Sequence, residues 1–451
     1  MVYEELHKDI LAKRLNPVKA IAVSFLVVIL IGTALLMAPF SSRENKPTSI
    51  VDALFTATSA TTVTGLVVKD THDYYSTIGQ IIILVLIQIG GLGYMTLMSF
   101  LFIFGRNLKL EGGIYLQESM NLPSISEVYK FARNTAFFVF VFELLGALTL
   151  YLMWHASMGS EAAAKYGIFH SISAFNNSGF DLFGGFNSLT GQATNVGVAA
   201  TIMLLTLLGG SGFIVINELI YKATGRHRRL SLHTRLVLGM SMMLLVIGTA
   251  AFFLLENNQP ALKDFSLTDK VLNSAFHSVN ARSSGFNSVP IGSLQTATLM
   301  LLIILMFIGS SPGGTGGGVK TTTAAVALRA LISFAKGKSD IEIFDRRVGA
   351  DTVLKSFAII GSAALLIIIA SVALSLIEPV AFEKLLFETT SAFGTVGLST
   401  GITPHLAAVS KLILVAVMFI GRVGPLALLH LLLRMKSSSR VRLPQEDVMV
   451  G

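Results

Sequence analysis

The stretch from residue 55 to residue 65 reads FTATSATTVTG, and its layout recurs three more times along the chain. The later copies read FHSISAFNNSG (169–179), FHSVNARSSG (276–285) and FETTSAFGTVG (387–397). The first phenylalanine and the last glycine are 10, 10, 9 and 10 positions apart. A hydrophobic run with its own glycines follows each copy: Gly90 and Gly91, Gly209 and Gly210, Gly309, and Gly421. Four such units in one chain can surround a pore with fourfold pseudo-symmetry, so the repeat indicates ion permeation.

The composition is that of a membrane protein. Of the 451 residues 53% are hydrophobic and 13% charged, whereas soluble domains carry about 25% charged residues. Several apolar runs are long enough to cross about 30 Å of hydrocarbon. The first of them starts only near Ala20 and is predicted to be a retained span rather than a signal peptide. The chain has no cysteine, which excludes disulfides, thiolate metal sites and cysteine nucleophiles.

The net charge of +8 comes from cations spread over the connections between apolar runs, not from one basic patch with aromatic residues, so no nucleic-acid partner is expected. Of the 34 lysines and arginines, 23 lie in alternate segments: the N-terminal segment, 105–133, 222–235, 329–355 and the C-terminal tail. Because cytoplasmic loops carry the excess of Lys and Arg, both termini are predicted to be cytoplasmic and the four glycine-ended segments to open outward.

The predicted fold is an all-α polytopic membrane protein with eight full spans. Each unit is expected to contain a span, a short re-entrant helix, a glycine-ended loop and a second span. The predicted units are 20–104, 134–222, 234–333 and 353–434, between cytoplasmic segments 1–19 and 435–451. The first spans are predicted at 20–40, 134–155, 234–255 and 353–377, the short helices at 51–61, 167–175, 270–280 and 383–392, and the second spans at 77–104, 195–222, 295–333 and 408–434.

The four short helices are too short to span a membrane and are partly polar. Irregular backbone survives at membrane depth only where it is buried in protein or lines a watery cavity. Asp52, Asp269 and Glu383 near the helix starts favour N-termini that point away from the centre. The negative ends of four helix dipoles then face one point and favour a cation there. The alternative is that these segments are ordinary loops.

The residues beside the four glycines suit a weakly hydrated monovalent cation. Rings of backbone carbonyls replace an ion's hydration shell, and glycine permits the backbone angles that turn carbonyls toward an axis. The flanking residues include Thr, Val, Ser, Asn and Gly but no acid, whereas a carboxylate ring would indicate divalent selectivity. K⁺ is therefore the expected ion.

Residues 59–66, 173–180, 280–286 and 391–398, together with FIGRVGPL (419–426) and the glycine-rich stretch after Ile308, resemble the Trk/Ktr/HKT superfamily of K⁺ transporters, most closely bacterial Ktr membrane subunits. The resemblance covers about residues 16 to 435. It implies a selectivity filter that binds K⁺ mostly through carbonyls, formed by Thr62, Val63, Thr64, Gly65, Asn176, Asn177, Ser178, Gly179, Ser283, Ser284, Gly285, Gly394, Thr395, Val396 and Gly397.

The same resemblance implies a homodimer in lipid of the bacterial cell membrane and a separate cytosolic regulatory ring that binds nucleotide. It implies Na⁺-stimulated uptake of K⁺ as the transported ion, no cofactor in this chain and no enzymatic activity. Gly65 is the K⁺-type residue of the family, since serine there accompanies Na⁺ preference in some plant relatives. The second and third copies do not resemble ThrValGly, which implies weaker K⁺/Na⁺ discrimination than in a dedicated K⁺ channel.

The second span of the third unit is interrupted by a glycine-rich segment at 309–322. An interior glycine costs about 1 kcal/mol and a proline about 3 kcal/mol relative to alanine in a helix, so a non-helical loop is predicted in mid-membrane. In the family the corresponding loop obstructs the pore until the regulatory subunit releases it. The predicted gate residues are Gly309, Ser310, Ser311, Pro312, Gly313, Gly314, Thr315, Gly316, Gly317, Gly318, Lys320 and Arg422. A helix kink remains an alternative, whereas Val319 between Gly318 and Lys320 disfavours a phosphate-binding loop.

Several residues keep two interpretations. Arg422 either limits K⁺ occupancy beneath the filter or pairs with the gate, or it forms a structural salt bridge or a carbonyl contact. Lys320 has the same two interpretations. His170 and His277 are expected in packing rather than as a metal pair, and Glu388 occupies the matching place in the fourth unit. Glu143 has no polar partner at helical spacing, which disfavours an intramembrane enzyme.

The basic segments 222–235 and 329–355 either dock a partner or set topology and contact lipid headgroups. A coupled K⁺/Na⁺ or K⁺/H⁺ symporter is the alternative function.

Overall fold

The computed structural model describes residues 17–104, 125–225, 229–338 and 340–424, which form helices and one small β-hairpin. The predicted segments at 1–16, 105–124 and 425–451 lie outside the described residues. The helices are α1 (Pro17–Met37), α2 (Ile50–Thr61), α3 (Thr77–Phe104), α4 (Ile125–Met158), α5 (Ser160–Phe175), α6 (Val196–Gly210), α7 (Phe213–Ala223), α8 (Leu232–Glu256), α9 (Leu267–Asn280), α10 (Thr296–Phe307), α11 (Thr321–Ala335), α12 (Ala350–Ser375), α13 (Phe382–Gly394) and α14 (Ala408–Val423).

The helices form four groups of a long helix, a short helix and a second helix. The groups begin with α1, α4, α8 and α12, and the short helices are α2, α5, α9 and α13. In the first, second and fourth groups the short helix packs against both of its neighbours in the chain, whereas α9 of the third group packs against α8. Across groups, α3 contacts α5, α6 contacts α9, α10 contacts α13, and α14 returns to contact α2. The groups therefore contact one another in a closed cycle.

Two of the short helices begin at serine caps. Ser49 and Ser266 cap α2 and α9 by accepting hydrogen bonds from the backbone N–H groups of Asp52 and Asp269. The predicted first spans correspond to α1, α4, α8 and α12. The predicted short helices correspond to α2, α5, α9 and α13, although α5 begins at Ser160 rather than at residue 167.

Two second spans predicted as continuous are broken. In α3, Gly93 has φ 67° and ψ 176° and interrupts the helix. The predicted span 195–222 divides into α6 and α7, whose axes differ by 101°. The break lies at Gly212, whose φ of 92° does not continue a right-handed helix. In the third group the predicted interruption is present between α10 and α11.

The connection before α12 contains a β-hairpin that the all-α prediction missed. Strands β1 (Ile341–Ile343) and β2 (Arg346–Val348) pair antiparallel around Phe344 and Asp345, both of which have positive φ. A two-residue turn of this kind is normally signalled by Asn-Gly or Asp-Gly. Phe-Asp gives no such signal, which explains the error.

Three described helices are long and apolar enough to cross a membrane: Arg133–Met158 within α4, α8 and α12. The bent pair α6 and α7 gives a fourth if it is counted as one span, and shorter apolar helices occur at Ala22–Met37, Thr77–Gly93, Thr296–Phe307 and Thr321–Ala335. The long helices expose apolar side chains such as Leu30, Phe140, Val246 and Leu365. Apolar outer faces of this extent suit a lipid environment. The prediction of eight full spans stays a prediction.

Candidate ion site at the glycine ring

The four repeat glycines contact one another's segments in cyclic order. A Cβ atom added to Gly65 would collide with the carbonyl oxygen of Ser178. A Cβ atom on Gly179 would meet the carbonyl of Ser284, one on Gly285 that of Val396, and one on Gly397 that of Thr64. Their φ angles are 87°, 73°, 74° and 95°. We call Gly65, Gly179, Gly285 and Gly397 the glycine ring, in which a side chain would be both strained and blocked.

The segment before each ring glycine folds back on its short helix. The backbone N–H of Thr64 donates to the carbonyl of Ser59 at 2.7 Å, and those of Ser178 and Val396 donate to the corresponding helix residues at 2.8 and 2.9 Å. Two positions before the glycine, Val63, Asn177 and Thr395 adopt the left-handed conformation, with φ of 52°, 56° and 49°. Three units therefore share one local backbone structure.

The third unit departs from this structure. Ser283 has no positive φ, and the backbone N–H groups of Ser284 and Gly285 both donate to the carbonyl of Asn280, at 3.0 and 3.2 Å. This is the copy in which the spacing between phenylalanine and glycine is 9 rather than 10. The missing residue removes the left-handed position, while Gly285 still takes its place in the ring.

A second set of glycines brings the following helix close to the short one. Cβ atoms on Gly90, Gly209 and Gly421 would collide with the carbonyl oxygens of Thr61, Phe175 and Phe393, respectively. Three residues later in each case a glycine with positive φ interrupts or ends the helix: Gly93, Gly212 and Gly424. This Gly-x-x-Gly spacing is present in the sequence of three of the four units but was not predicted to break a helix. It explains why the second helices break.

The side chains around the ring are neutral apart from Arg282, and they are buried. Thr62 and Thr64 share a hydrogen bond of 2.8 Å between their hydroxyl oxygens. The amide of Asn177 is hydrogen-bonded to Ser283 Oγ at 2.6 Å, which joins the second and third units. Among the described residues there is no group of three His, Asp or Glu side chains that could hold a metal ion. Backbone carbonyls are thus the main ligands that this arrangement offers a cation.

The residue after the first phenylalanine of each copy is a buried polar group on the short helix. Thr56 Oγ1 accepts a hydrogen bond from Tyr75 at 3.1 Å. His170 Nε2 accepts from the backbone N–H of Leu182 at 3.4 Å. His277 stacks on Phe252, with ring centroids 4.9 Å apart. The expected packing role of the two histidines is consistent with these contacts.

Glu388, at the same position of the fourth copy, makes more hydrogen bonds than Thr56, His170 or His277. Its Oε1 accepts hydrogen bonds from Ser399 Oγ and the backbone N–H of Thr400, both at 2.8 Å, and from Thr400 Oγ1 at 3.1 Å. Its Oε2 accepts from Thr403 Oγ1 at 2.7 Å. The fully buried carboxylate therefore holds the segment that directly follows ring residue Gly397.

Glu143 is hydrogen-bonded to Asn176, in the segment that precedes ring glycine Gly179. Asn176 Nδ2 donates to Glu143 Oε1 at 2.9 Å, and Gln88 Nε2 donates to both carboxylate oxygens at 3.1 Å. The three residues belong to α3, α4 and the end of α5. From the sequence Glu143 was interpreted as an isolated acid, because its partners lie 33 and 55 positions away.

The glycine-rich loop at 309–322 lies against the other groups. The backbone N–H groups of Ser311 and Thr315 donate to the carbonyls of Gly210 and Gly209, at 2.9 and 3.1 Å. The N–H of Gly317 donates to Thr395 Oγ1 at 2.7 Å. The loop is therefore tied to the second and fourth units and touches a predicted filter residue directly.

Two partly buried cations hold the loop through carbonyl oxygens. The Arg422 guanidinium donates to the carbonyls of Thr315 and Gly90, and Lys320 Nζ donates to the carbonyl of Gly316 at 2.6 Å. Neither forms an ion pair with an acid among the residues that the structure describes. For Arg422, this favours contact with the loop over a salt bridge. The loop follows a helix rather than a strand, which further disfavours a phosphate-binding loop.

The connection after the second copy is packed against the connection after the first. The backbone N–H groups of Gly185 and Phe186 donate to Asp73 Oδ2 and Asp70 Oδ2 at 2.9 and 2.8 Å. Burial, together with the nearby negative charge of Asp70, raises the pKa of the Asp181 carboxyl to about 7, opposed by a hydrogen bond from the Phe183 N–H. Burial and the positive charge of Arg43 lower the pKa of His72.

The structure is a helical bundle with apolar outer faces and a buried ring of carbonyls, and the loop 309–322 lies against its units. This combination defines a membrane protein of the ion-transport class. The chain belongs to the TrkH family of cation transport proteins, whose family profile matches residues 5–441. The family is one of transporters, and the chain is a bacterial membrane protein.

The chain is 38% identical over 451 residues to "Ktr system potassium uptake protein B" of Bacillus subtilis (strain 168). The alignment covers 99% of this chain and 100% of that protein. The chain is 38% identical to a protein of the same name from Vibrio alginolyticus, over 96% of this chain and 94% of the relative. It is 36% identical to "Potassium/sodium uptake protein NtpJ" of Enterococcus hirae, over 97% and 98% of the two chains. The crystal structure of the potassium transporter TrkH from Vibrio parahaemolyticus matches with a TM-score of 0.71 at 20% identity, over 93% of this chain and 86% of that one. That likeness confirms a TrkH-like, mostly helical fold.

Proposed function

We propose that this chain is the membrane subunit of a potassium uptake system and that K⁺ passes through the glycine ring. The observation that carries the proposal is the cyclic contact of Gly65, Gly179, Gly285 and Gly397 with the carbonyl before the next ring glycine. Four segments in such a cycle can present carbonyl oxygens to one axis, and carbonyl rings replace the hydration of K⁺. In this proposal residues 62–65, 176–179, 283–285 and 394–397 are the selectivity filter.

Two further findings support K⁺ over other ions. The printed names of the Bacillus and Vibrio relatives refer to potassium uptake. The filter segments contain no carboxylate that would favour a divalent cation. The Enterococcus relative is named for potassium and sodium, which supports a stimulating or coupled role for Na⁺.

In the same proposal, the loop 309–322 is the gate. It contacts the second and fourth units, and Arg422 links it to Gly90 of the first. A ligand or partner needs only to change the relative free energy of the closed and open loop by a few kcal/mol to switch conduction. Lys320 and Arg422 add positive charge that disfavours a cation beneath the filter while the loop is in place.

The proposal also includes the number of spans, the orientation of the termini and the partner subunits. Four units with two spans each give eight spans around one pore, with both termini in the cytoplasm of a bacterial cell. A homodimer and a cytosolic nucleotide-binding ring complete the transport system. The "Ktr system" in the names of three relatives, among them the Bacillus and Vibrio proteins above, supports the existence of a further subunit.

The test is ⁸⁶Rb⁺ uptake into K⁺-loaded liposomes that contain the purified protein. Wild type should take up ⁸⁶Rb⁺ saturably, Na⁺ should compete better in Gly65→Ser, and a deletion within 313–318 should increase the flux. No flux from folded wild type or from the deletion, with the regulatory subunit present, would overturn the proposal.

The alternative is a coupled K⁺/Na⁺ or K⁺/H⁺ symporter, which the name of the Enterococcus relative favours. The two mechanisms differ in the reversal potential of the current. A conducting pore reverses at the potential set by the K⁺ gradient, whereas a symporter shifts when the Na⁺ or pH gradient is changed at fixed K⁺.

A further inference from the structure

A groove with a volume of about 390 Å³ lies between α8, α11, α12 and the β-hairpin. Its walls include Leu236, Val326, Ile343 and Ile359. The volume and the apolar walls are those of a site for a small molecule or an acyl chain. The ring of Phe344 at the hairpin turn comes within 3.9 Å of the position of a Cβ atom on Gly239 in α8, and β1 packs against α11.

The polar groups of the groove are cationic or neutral. Lys355 lines it, and none of the lining residues is acidic. His233 also lines it. An acidic ligand group would therefore meet Lys355 with no carboxylate among the lining residues.

The register of the hairpin adds a second cation to this face. Residues directly opposite in an antiparallel pair share one face, and Arg346 pairs with the groove residue Ile343. Arg346 is exposed and forms no ion pair with any described residue. The pair Glu342 and Arg347 lies on the other face, where the acids are neutralised: Glu342 by Lys338 at 3.2 Å, and Asp340 by Arg347 at 2.8 Å.

We propose that this groove binds an anionic phospholipid, with an acyl chain along the apolar walls and the phosphate at Lys355 and Arg346. The proposal rests on the proposed topology, which places 329–355 at the cytoplasmic membrane surface. Basic pockets between membrane helices on that side are sites for anionic headgroups. The exposed Phe344 lies in the hairpin turn and the exposed Phe334 near the end of α11, and aromatic side chains of this kind anchor protein at the headgroup boundary.

The groove is placed to act on the loop 309–322. Thr322, Thr323 and Val326 of α11 line it, and α11 starts where the loop ends. Thr321 at the start of α11 donates its backbone N–H to the carbonyl of Ser310 at 3.3 Å, and its hydroxyl is 2.9 Å from Ser311 Oγ. A lipid that fixes α11 thereby favours one position of the loop.

The test measures lipid retained by the purified, full-length protein in native mass spectrometry, with phosphatidylglycerol and phosphatidylcholine offered in equal amounts. Wild type should retain phosphatidylglycerol in preference. Arg346→Gln and Lys355→Gln should each lower its retention roughly fivefold, and Val326→Trp should lower it by filling the groove. The matched control Arg347→Gln, on the opposite hairpin face, should retain the wild-type amount. Thermal midpoints of the variants must match wild type.

Equal retention of the two lipids, or an equal loss in Arg347→Gln, would overturn the proposal. Soluble glycerol phosphate should not displace the lipid, because it cannot fill the apolar groove, and displacement would show a simple anion site instead. If the groove variants keep the lipid but lose association with a regulatory protein, the surface is a protein interface and the lipid assignment is wrong. Lipid retention does not depend on transport, so the proposal can fail while ⁸⁶Rb⁺ uptake succeeds, and the reverse.

Discussion

Thr395 Oγ1 accepts a hydrogen bond from the backbone N–H of Gly317 at 2.7 Å. Thr395 lies two residues before ring glycine Gly397, in the left-handed conformation with φ of 49°, and Gly317 lies in the loop 309–322. A single side chain therefore belongs to the predicted filter and holds the predicted gate. The contact gives the loop a specific position that depends on the filter backbone.

The variant Thr395→Val should release the loop without disturbing the filter. Valine is sterically close to threonine, and Val63 already occupies the equivalent left-handed position in the first unit. The buried N–H of Gly317 would lose its acceptor, at a cost of about 1–3 kcal/mol. The expected result is roughly tenfold faster ⁸⁶Rb⁺ uptake without a regulatory subunit. Thr389→Val is the matched control, since Thr389 Oγ1 bonds only to its own helix, at the carbonyl of Leu385; unchanged flux in Thr395→Val would refute the gating contact.

The variant Arg422→Gln should also raise basal flux, because the guanidinium donates to carbonyls in the loop and in α3 at once. Arg422→Lys should rescue only part of the effect, since an ammonium lacks the planar fork. In the double variant Arg422→Gln with Thr395→Val, the increase in basal flux should be less than additive, because both residues hold one loop. Lys411→Gln in the same helix breaks the 2.9 Å contact with Asp52 and should lower stability only. Lower stability with wild-type flux in Arg422→Gln would mean a purely structural arginine.

Alanine at a ring glycine should be far more harmful than alanine at another glycine with positive φ. Gly401 has φ of 91° but open space around its Cβ position, so Gly401→Ala should cost only about 1–2 kcal/mol of conformational strain. Gly179→Ala adds a collision with the Ser284 carbonyl and should cost more than about 4 kcal/mol or abolish uptake. Thermal unfolding and ⁸⁶Rb⁺ uptake of the two variants check this, and similar losses in both would show that packing in the ring is loose.

The variant Glu388→Gln should weaken ion discrimination. A glutamine oxygen cannot accept all the hydrogen bonds that Ser399, Thr400 and Thr403 now donate to the carboxylate, so a loss of roughly 3 kcal/mol of stability is expected. The released segment begins two residues after Gly397, and Na⁺ should therefore compete better against ⁸⁶Rb⁺. Glu383→Gln, in the first turn of the same helix, is the control. A stability loss with unchanged competition would limit Glu388 to a structural role.

Much of the local structure followed from local pattern. The apolar runs, the acidic residues Asp52, Asp269 and Glu383 near the helix starts and the glycines of the four copies predicted the short helices and most long ones. The caps Ser49 and Ser266 were not predicted. The interruption at 309–322 was evident because no helix tolerates so many glycines and a proline. The breaks at Gly93 and Gly212 were missed although the Gly-x-x-Gly spacing is present in the sequence, because the break accompanies a close approach to the short helix, which is a tertiary contact. The hairpin turn at Phe344 and Asp345 was missed because it lacks glycine.

The sequence by itself determined the four units, the glycines that each requires and the shorter third copy, because those depend on backbone angles and hydropathy within about ten residues. Only the tertiary structure decided which carbonyl each ring glycine faces, that Arg422 reaches both Thr315 and Gly90, and that Glu143 supports Asn176. Those contacts join residues tens to hundreds of positions apart. Their partners are set by how the four groups pack into a closed cycle, and periodicity along one chain segment contains no information about that packing.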